Sequence, residues 1–242
     1  MIYIQSDSDR TRPHHFDCAT AMYGAIETGQ DYRLTTYAEI ASGKFDTLLR
    51  TNMAVGSVEF MKLVFVRLGL EDVRVPANSN RPHFTSSLGE IKRRAKLGSK
   101  YFIKPFDIKL FTGFVIDQMQ HTPIQDIPDD TPVMVYKPFK YPIESEWRCY
   151  IMNHRVEFIG NYSGDFLVSV NGPYLQNIIN ENRSGFPSAY TIDIGVLSNG
   201  ENVVVEYNDM WAIGNYGVPN DIYLRMLKTR YFEIIRSQRS DI

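Results

Sequence analysis

The sequence predicts an α+β protein that begins with alternating strands and helices and continues with mostly antiparallel strands. Three observations support this prediction. Strand-like and helix-like segments alternate up to about residue 77, the turn signals Asn153-His154 and Asn199-Gly200 each separate two strand-like runs, and residues 221–236 form an amphipathic helix pattern. Alternation of strands and helices favours a parallel α/β unit, whereas two-residue turns join antiparallel strands.

Composition excludes several classes of protein. The 242 residues include 26 basic and 28 acidic side chains, and 43% are hydrophobic, which is typical of a globular protein and not of one that coats nucleic acid. Cys18 and Cys149 are too few for a disulfide framework or a four-cysteine zinc site. No signal peptide or membrane-spanning run is visible, so we expect a cytoplasmic protein without membrane partners.

The elements follow in order from apolar runs and the residues that end them. Ser57 is a suitable N-cap because its hydroxyl can accept a hydrogen bond from a first-turn amide, and Gly29, Gly69 and Gly98 are typical helix stops. The predicted strands are 1–4, 45–52, 101–104, 111–116, 132–137, 146–152, 156–161, 190–197 and 202–207. The predicted helices are 16–28, 57–68, 86–97, 174–180 and 221–236, and the predicted linker is 76–82.

The hairpin around Asn199-Gly200 is the segment most indicative of chemistry. This dipeptide is typical of a two-residue turn in which both residues adopt positive φ, so that Ser198 faces Glu201. Pairing the strands outward from that point fixes which residues lie opposite one another.

That pairing places Asp193 opposite Glu206, and the two-residue period of a strand adds Asn208 to the same face. Two opposed carboxylates destabilise a hairpin. Either a divalent cation such as Mg²⁺, which prefers oxygen ligands, compensates for their charge, or a basic side chain from elsewhere lies between the acids.

Two strands end in a lysine followed by proline, at Lys104 and Lys137. An ammonium group at the end of a buried strand can contact a phosphate as a point charge, or it can extend into solvent. Thr112-Gly113, which follows the first of these strands, either permits close approach of the backbone to a ligand or marks a bulge.

Glu146 and Arg148 are predicted to share one face of a strand, with Trp147 and Cys149 on the other. Arg148 could form an ordinary cross-strand ion pair. It could also supply a permanently charged fork for a transferred phosphoryl group or an acyl phosphate.

Together these motifs resemble the ATP-grasp superfamily, and in particular its short clade from phages and bacteria with a glutathione-synthetase-like ATP-binding domain. The resemblance rests on the two Lys-Pro strand ends, on Glu146-x-Arg148 and on Glu206-x-Asn208-Asp209, and it covers roughly residues 84–242. It implies an ATP-grasp fold with two α+β lobes around the nucleotide, at 78–137 and 138–242, after a small α/β pre-ATP-grasp domain at 1–77.

The resemblance also implies ATP and Mg²⁺ as cofactors, with two ions held by Asp193, Glu206 and Asn208 and bridged by Glu206. Arg148 would stabilise the developing acyl phosphate, although many ligases of this superfamily carry an arginine where Thr191 stands. A loop at 106–112 would cover the phosphates. The implied nucleotide contacts are Lys104, Lys109, Thr112, Val135, Tyr136, Lys137 and Glu146.

The implied function is an ADP-forming ligase that joins a carboxylate to an amine or thiol through an acyl phosphate. A kinase that phosphorylates a small molecule and a non-catalytic nucleotide-binding module are the alternatives. Expected partners are small-molecule or peptide carboxylates and amines, a macromolecular substrate (protein or RNA) stays open, and a homodimer is compatible with the resemblance. Residues 211–217 form either a substrate-facing loop or a packed turn.

Overall fold

The structure is a computed structural model that describes residues 1–70, 73, 82–106, 110–118 and 124–237. The chain divides into two compact units. Unit 1 combines Met1–Ser79 with Glu144–Ile242, and unit 2 is Asn80–Ile143. Within the described ranges, no helix is long and apolar enough to cross a membrane.

The N-terminal segment of unit 1 forms a parallel sheet with the strand order β2-β1-β3. The parallel α/β arrangement predicted for this segment is therefore confirmed. Ser57 caps α3 as predicted, because its side chain accepts a hydrogen bond from Phe60 N at 3.2 Å. The elements are β1 (Ile2–Gln5), α1 (Phe16–Glu27), β2 (Tyr32–Thr35), α2 (Tyr37–Ala41), β3 (Met53–Val55) and α3 (Val58–Arg67).

The strand predicted over residues 45–52 is wrong. This segment forms turns and a short 3₁₀ helix, Leu48–Arg50, and the strand that precedes α3 is β3. Phe45 and Leu49 are buried, with exposed fractions of 3% and 0%, but they reach the core from turns. A short apolar run reports burial and does not by itself distinguish a strand from a turn.

The C-terminal segment of unit 1 forms a sheet with the order β11-β10-β8-β9. Asn153 and His154 have φ values of 50° and 61°, which confirms the predicted two-residue turn between β8 and β9. The predicted helix at 174–180 and the closing helix are also confirmed as α5 and α6. The elements are β8 (Ile143–Met152), β9 (Arg155–Gly164), α5 (Gly172–Glu181), β10 (Ala189–Leu197), β11 (Asn202–Asp209) and α6 (Asn220–Ser237).

The two faces of this sheet have different neighbours, because side chains alternate along each strand. Cys149, Ile151 and Ile192 share a core with α5 residues. Tyr150 and Met152 share a larger core with α6 and with the N-terminal segment. Residues in register with Tyr150 therefore lie on the face that continues into the main core of unit 1.

Unit 2 contains an antiparallel sheet with the order β4-β7-β5-β6 and one helix against it in the described residues. Its helix begins two residues after the predicted start, because Ser87 is the N-cap. The predicted linker at 76–82 lies outside the described residues, apart from Pro82. The elements are β4 (His83–Ser87), α4 (Leu88–Lys96), β5 (Tyr101–Pro105), β6 (Phe114–Ile116) and β7 (Pro132–Tyr136).

Candidate functional site

The β10–β11 hairpin pairs Asp193 with Glu206, as the sequence predicts. Its tip differs from the prediction. Leu197 N donates to Glu201 O at 2.8 Å and Gly200 N donates to Leu197 O at 2.7 Å, so the loop contains the three residues 198–200. Within this loop only Gly200 has positive φ, at 83°, as in a type I turn followed by a glycine bulge.

A β-bulge in β11 restores the pairing that the longer tip would displace. Ile194 pairs with Val204 while Asp193 pairs with Glu206, so Val205 is the additional residue. Without the bulge, Asp193 would lie opposite Val205, and Glu206 would move to the face that packs on α5. The bulge therefore places both acids on one face.

Asn208 completes the cluster of oxygen-bearing side chains. Its Nδ2 atom lies 3.4 Å from Asp193 Oδ2 and 3.4 Å from Glu206 Oε1. Asp193 is only 1% exposed, whereas Glu206 and Asn208 are partly buried. The structure thus brings together the three residues predicted as metal ligands.

Arg148 is the basic side chain that lies against these acids. Its Nε donates to Asp193 Oδ1 at 2.8 Å and its Nη2 donates to Asp193 Oδ2 at 2.7 Å, so the guanidinium engages both carboxylate oxygens. Arg148 is 7% exposed. Thr191, which stands where many related ligases carry an arginine, is fully buried opposite Asn208.

Tyrosines that the sequence analysis did not single out surround the Arg148 guanidinium. The rings of Tyr162 and Tyr216 stack at 5.0 Å, and the guanidinium carbon lies 5.7 Å and 4.9 Å from their respective centroids. Tyr150 donates to Gly214 O at 2.8 Å and accepts from Tyr216 N at 3.1 Å. Tyr150 could have been found from sequence, since it lies two residues after Arg148 on the same face.

The carboxylates in this cluster outnumber the guanidinium. Burial, followed by the negative charges of Asp193 and Glu206, raises the pKa of Glu146. Burial also raises the pKa of Asp193, although Arg148 opposes the rise. Burial would lower the pKa of Arg148, but the hydrogen bonds and charge of Asp193 raise it above its ordinary value. The site therefore holds excess negative charge.

Oxygen donors for a metal are present, but an all-protein cage is not. Among the residues whose placement is given, no group of three or more His, Cys, Asp or Glu could hold a metal ion. Glu206 and Asn208 fit Mg²⁺, because this ion usually takes one or two protein carboxylates together with phosphate oxygens and water. Asp193 could join them only after Arg148 released one of its oxygens.

Unit 2 carries the residues predicted as nucleotide contacts, except Glu146. The Lys104 Nζ lies 5.5 Å from the centroid of the Tyr136 ring, so these two are together. Val135 is fully buried in the core of unit 2, so only its backbone can meet a ligand. Thr112 is exposed before β6. Lys109, and with it the middle of the predicted loop at 106–112, lies outside the described residues.

Lys137 directly follows β7 and is exposed. It lines a pocket of about 300 Å³ together with Val135, His83, Phe84 and Tyr101. The predicted lysines thus occupy different surroundings in unit 2, since Lys104 lies over Tyr136 and Lys137 borders this pocket.

Comparison with protein-family models gives a match to residues 79–226, described as an ATP-grasp domain, family 2 of its clade. The match covers more than half of the chain. A comparison with curated proteins gives no significant match.

Solved structures resemble the whole chain at low sequence identity. A D-alanine–D-alanine ligase from Bacillus anthracis is 12% identical, covers 98% of both chains and has a TM-score of 0.51. An N5-carboxyaminoimidazole synthetase from Staphylococcus aureus, complexed with ADP, is 10% identical with a TM-score of 0.56, covering 95% of this chain and 77% of its own. A D-cycloserine synthetase is 8% identical with a TM-score of 0.50, covering 96% and 99%. These likenesses confirm the predicted α+β ATP-grasp fold.

Proposed function

We infer the function from the family: the chain belongs to the ATP-grasp domain family that matches residues 79–226, and we propose that it is an ATP-dependent ligase. The proposed reaction joins a carboxylate to an amine, or to a thiol, through an acyl phosphate. The observation that carries the proposal is the cluster of Asp193, Glu206 and Asn208 with Arg148 on one face of the sheet. Such a cluster combines oxygen donors for a cation with a fixed positive fork for an anion.

In the proposed reaction, a carboxylate oxygen bonds to the γ-phosphorus of ATP while the bond from that phosphorus to the bridging oxygen breaks, and ADP leaves. The amine nitrogen then attacks the acyl carbon, and the bond from this carbon to the phosphate oxygen breaks. Phosphate leaves with the electron pair, and the amine releases a proton to solvent. No side-chain nucleophile is needed, so the protein contributes position and charge.

We propose that Glu206 and Asn208 hold Mg²⁺ and that Asp193 joins them on nucleotide binding. When bound, Mg²⁺ would neutralise charge on the ATP phosphates. The excess of carboxylates over guanidinium in this cluster supports this assignment, because a cation would relieve the repulsion that raises the pKa of Glu146.

Arg148 is proposed to stabilise the acyl phosphate. Asp193 binds its Nε and Nη2, so Nη1 is the group that would meet the anion. The stacked Tyr162 and Tyr216 rings restrict the guanidinium, and a donor fixed before the reaction costs no reorganisation when the negative charge develops. The nucleotide contacts are proposed to be Glu146, Lys104, Lys109, Thr112, Val135, Tyr136 and Lys137.

The test is turnover of Mg·ATP with a panel of carboxylates and amines, scored by ADP and free phosphate together. We expect Glu206→Gln and Asp193→Asn to lower kcat/KM about a hundredfold or more, because each removes a charged oxygen donor at the proposed metal site. Glu201→Gln is the matched control, since it makes the same change at the exposed hairpin tip.

Calorimetric titration with Mg·ATP, and a thermal melt of each variant, separate loss of binding from loss of folding. Full activity in both site variants would defeat the metal assignment. A stable phosphorylated product without free phosphate would replace the ligase with a kinase, and the absence of Mg·ATP binding would indicate a non-catalytic module.

A further inference from the structure

A cavity of about 300 Å³ lies within unit 1 next to the candidate site. Gly214 connects the two, because it lines the cavity and its carbonyl oxygen accepts the hydrogen bond from Tyr150 and lies 3.5 Å from Arg148 Nη1. The remaining wall comes from the loops after β1 and β3 and from residues 211–213. This placement answers the question left open for 211–217, since part of the segment faces a cavity.

We propose that this cavity binds the ammonium group of the acceptor amine, and that Asp17 and Glu59 recognise its charge. The inference rests on the proposed ligase function and adds the class of acceptor to it. The acceptor class is an amino acid or a peptide N-terminus.

The charge of the wall favours a cation. Asp17 and Glu59 line the cavity, and its lining residues include no lysine or arginine. His15, the remaining titratable imidazole in the wall, has its pKa lowered, mainly by burial, so it is neutral at neutral pH. A cationic group that enters therefore meets two carboxylates and no positively charged wall residue.

The two acids have a simpler role, which the rest of the wall must be weighed against. Asp17 and Glu59 lie in the first turns of α1 and α3, where acidic residues interact favourably with the helix dipole without any ligand. The cavity beside them and the aromatic residue Trp211 in its wall are what that role does not explain. An indole ring attracts an ammonium group through its π face.

Trp211 also adds a polar requirement. Its indole N–H is buried and has no hydrogen-bond acceptor among the residues that the structure describes. A buried donor without a partner is costly, and an oxygen of a bound ligand would remove that cost. An amino acid or peptide N-terminus carries a carbonyl or carboxylate oxygen close to its ammonium group, so it can meet both requirements.

The size of the cavity limits the acceptor. About 300 Å³ is at the lower end of the roughly 300–1,000 Å³ typical of small-molecule sites. This volume suits one amino acid, or the first residue of a peptide whose remainder lies outside.

Binding can be tested without turnover through Trp211 fluorescence. The chain contains two tryptophans, so Trp147→Phe leaves Trp211 as the single reporter. The probes are alaninamide, which carries an ammonium group, and lactamide, its neutral analogue with a hydroxyl. We expect a saturable change with alaninamide alone, weakened about tenfold or more by Asp17→Asn or Glu59→Gln.

Asp17→Asn keeps an oxygen that can accept the hydrogen bond from Asn215 N, which Asp17 now accepts at 2.7 Å, so it removes charge with little change of structure. Calorimetry on the unsubstituted chain with the same two probes replaces fluorescence if Trp147→Phe does not fold. Equal responses to the two probes, or no response to either, would overturn the proposal.

Kinetics distinguish this inference from the proposed function. Hydroxylamine is a small nucleophile that traps acyl phosphates without an ammonium site. We expect Asp17→Asn and Glu59→Gln to raise KM for the amine about tenfold, with the rate in hydroxylamine and KM for ATP unchanged. Glu157→Gln, which lies on β9 and pairs with Arg225, is the control of equal charge change.

A KM effect on the carboxylate instead of the amine would assign the cavity to the other substrate and overturn the inference. No ADP with any carboxylate and hydroxylamine would defeat the proposed function, while the fluorescence comparison would still decide whether the cavity binds ammonium.

Discussion

Arg148 and Asp193 form a bidentate ion pair that is almost inaccessible to solvent. Such a pair contributes little net stability compared with apolar residues, but removing one partner leaves a buried charge without compensation. Glu146 and Glu206 add negative charge nearby. The guanidinium is therefore a condition for folding at this site as well as a proposed participant in the reaction.

Replacing Arg148 with Met, an apolar side chain of similar length, is expected to lower the free energy of unfolding by about 3–5 kcal/mol at neutral pH. Urea denaturation measures this change. Burial already raises the pKa of Asp193, and loss of Arg148 would raise it further. An acid whose folded pKa is raised keeps its contribution at acidic pH and loses it as the pH rises through that pKa.

The deficit of Arg148→Met should therefore be larger at about pH 8 than at about pH 5. The double variant Arg148→Met with Asp193→Asn is the matched control, because it removes both charges, and its deficit should be smaller and nearly independent of pH. A deficit of the single variant that stays equal across this range would show that lost packing, and not the unpaired carboxylate, causes it.

Sequence could place Asp193, Glu206 and Asn208 together because their contact depends on one local hairpin. It could not place Arg148 on Asp193, which is 45 residues away. That contact depends on the pairing of β8 with β10, and a non-local pairing has no signature in either strand alone. The metal and nucleotide roles of the predicted residues stay predictions until ligands are tested.

At the scale of elements, the β10–β11 hairpin combines two departures from the predicted geometry that cancel. The tip contains three residues where the sequence predicted two, and the bulge at Val205 adds one residue to the opposite strand. Asn-Gly is compatible with both tip lengths, so the dipeptide could not decide between them. The strand predicted at 45–52 failed for a related reason, since burial there did not define a conformation.

Gly200→Ala is expected to destabilise the protein by about 1–2 kcal/mol, because alanine disfavours the left-handed conformation that Gly200 adopts. A new β-carbon there would meet nothing within 4 Å, so the cost is conformational only. Gly172→Ala is the control: its surroundings are equally open and it begins α5. Thermal unfolding should show a loss for the first variant only, and equal effects would contradict the turn assignment.

At the scale of the whole molecule, unit 1 is built from two distant segments of the chain. Ile4 and Val55 share a core with Tyr150, Leu224 and Tyr231. The Tyr231 hydroxyl also donates to Leu49 O at 2.7 Å in the buried interior. Residues 1–79 therefore do not contain the whole of the core on which they pack.

We expect the isolated fragment 1–79 to lack a cooperative thermal transition, because the α6 side of its core would be exposed to water. Circular dichroism with temperature measures this. Addition of the fragment 144–242 is the control and should restore helical signal and a cooperative transition. Independent cooperative unfolding of 1–79 would mean that this segment is a self-sufficient domain.

The discontinuity of unit 1 has a consequence for synthesis on the ribosome. The segment 1–79 emerges first, but α6, which completes its core, spans Asn220–Ser237 near the other end of the chain. At roughly 5–20 residues per second, the apolar side chains of the early segment wait on the order of ten seconds for their partners. During that interval the nascent chain presents a surface suited to chaperones, and slower translation of the last third would prolong its exposure.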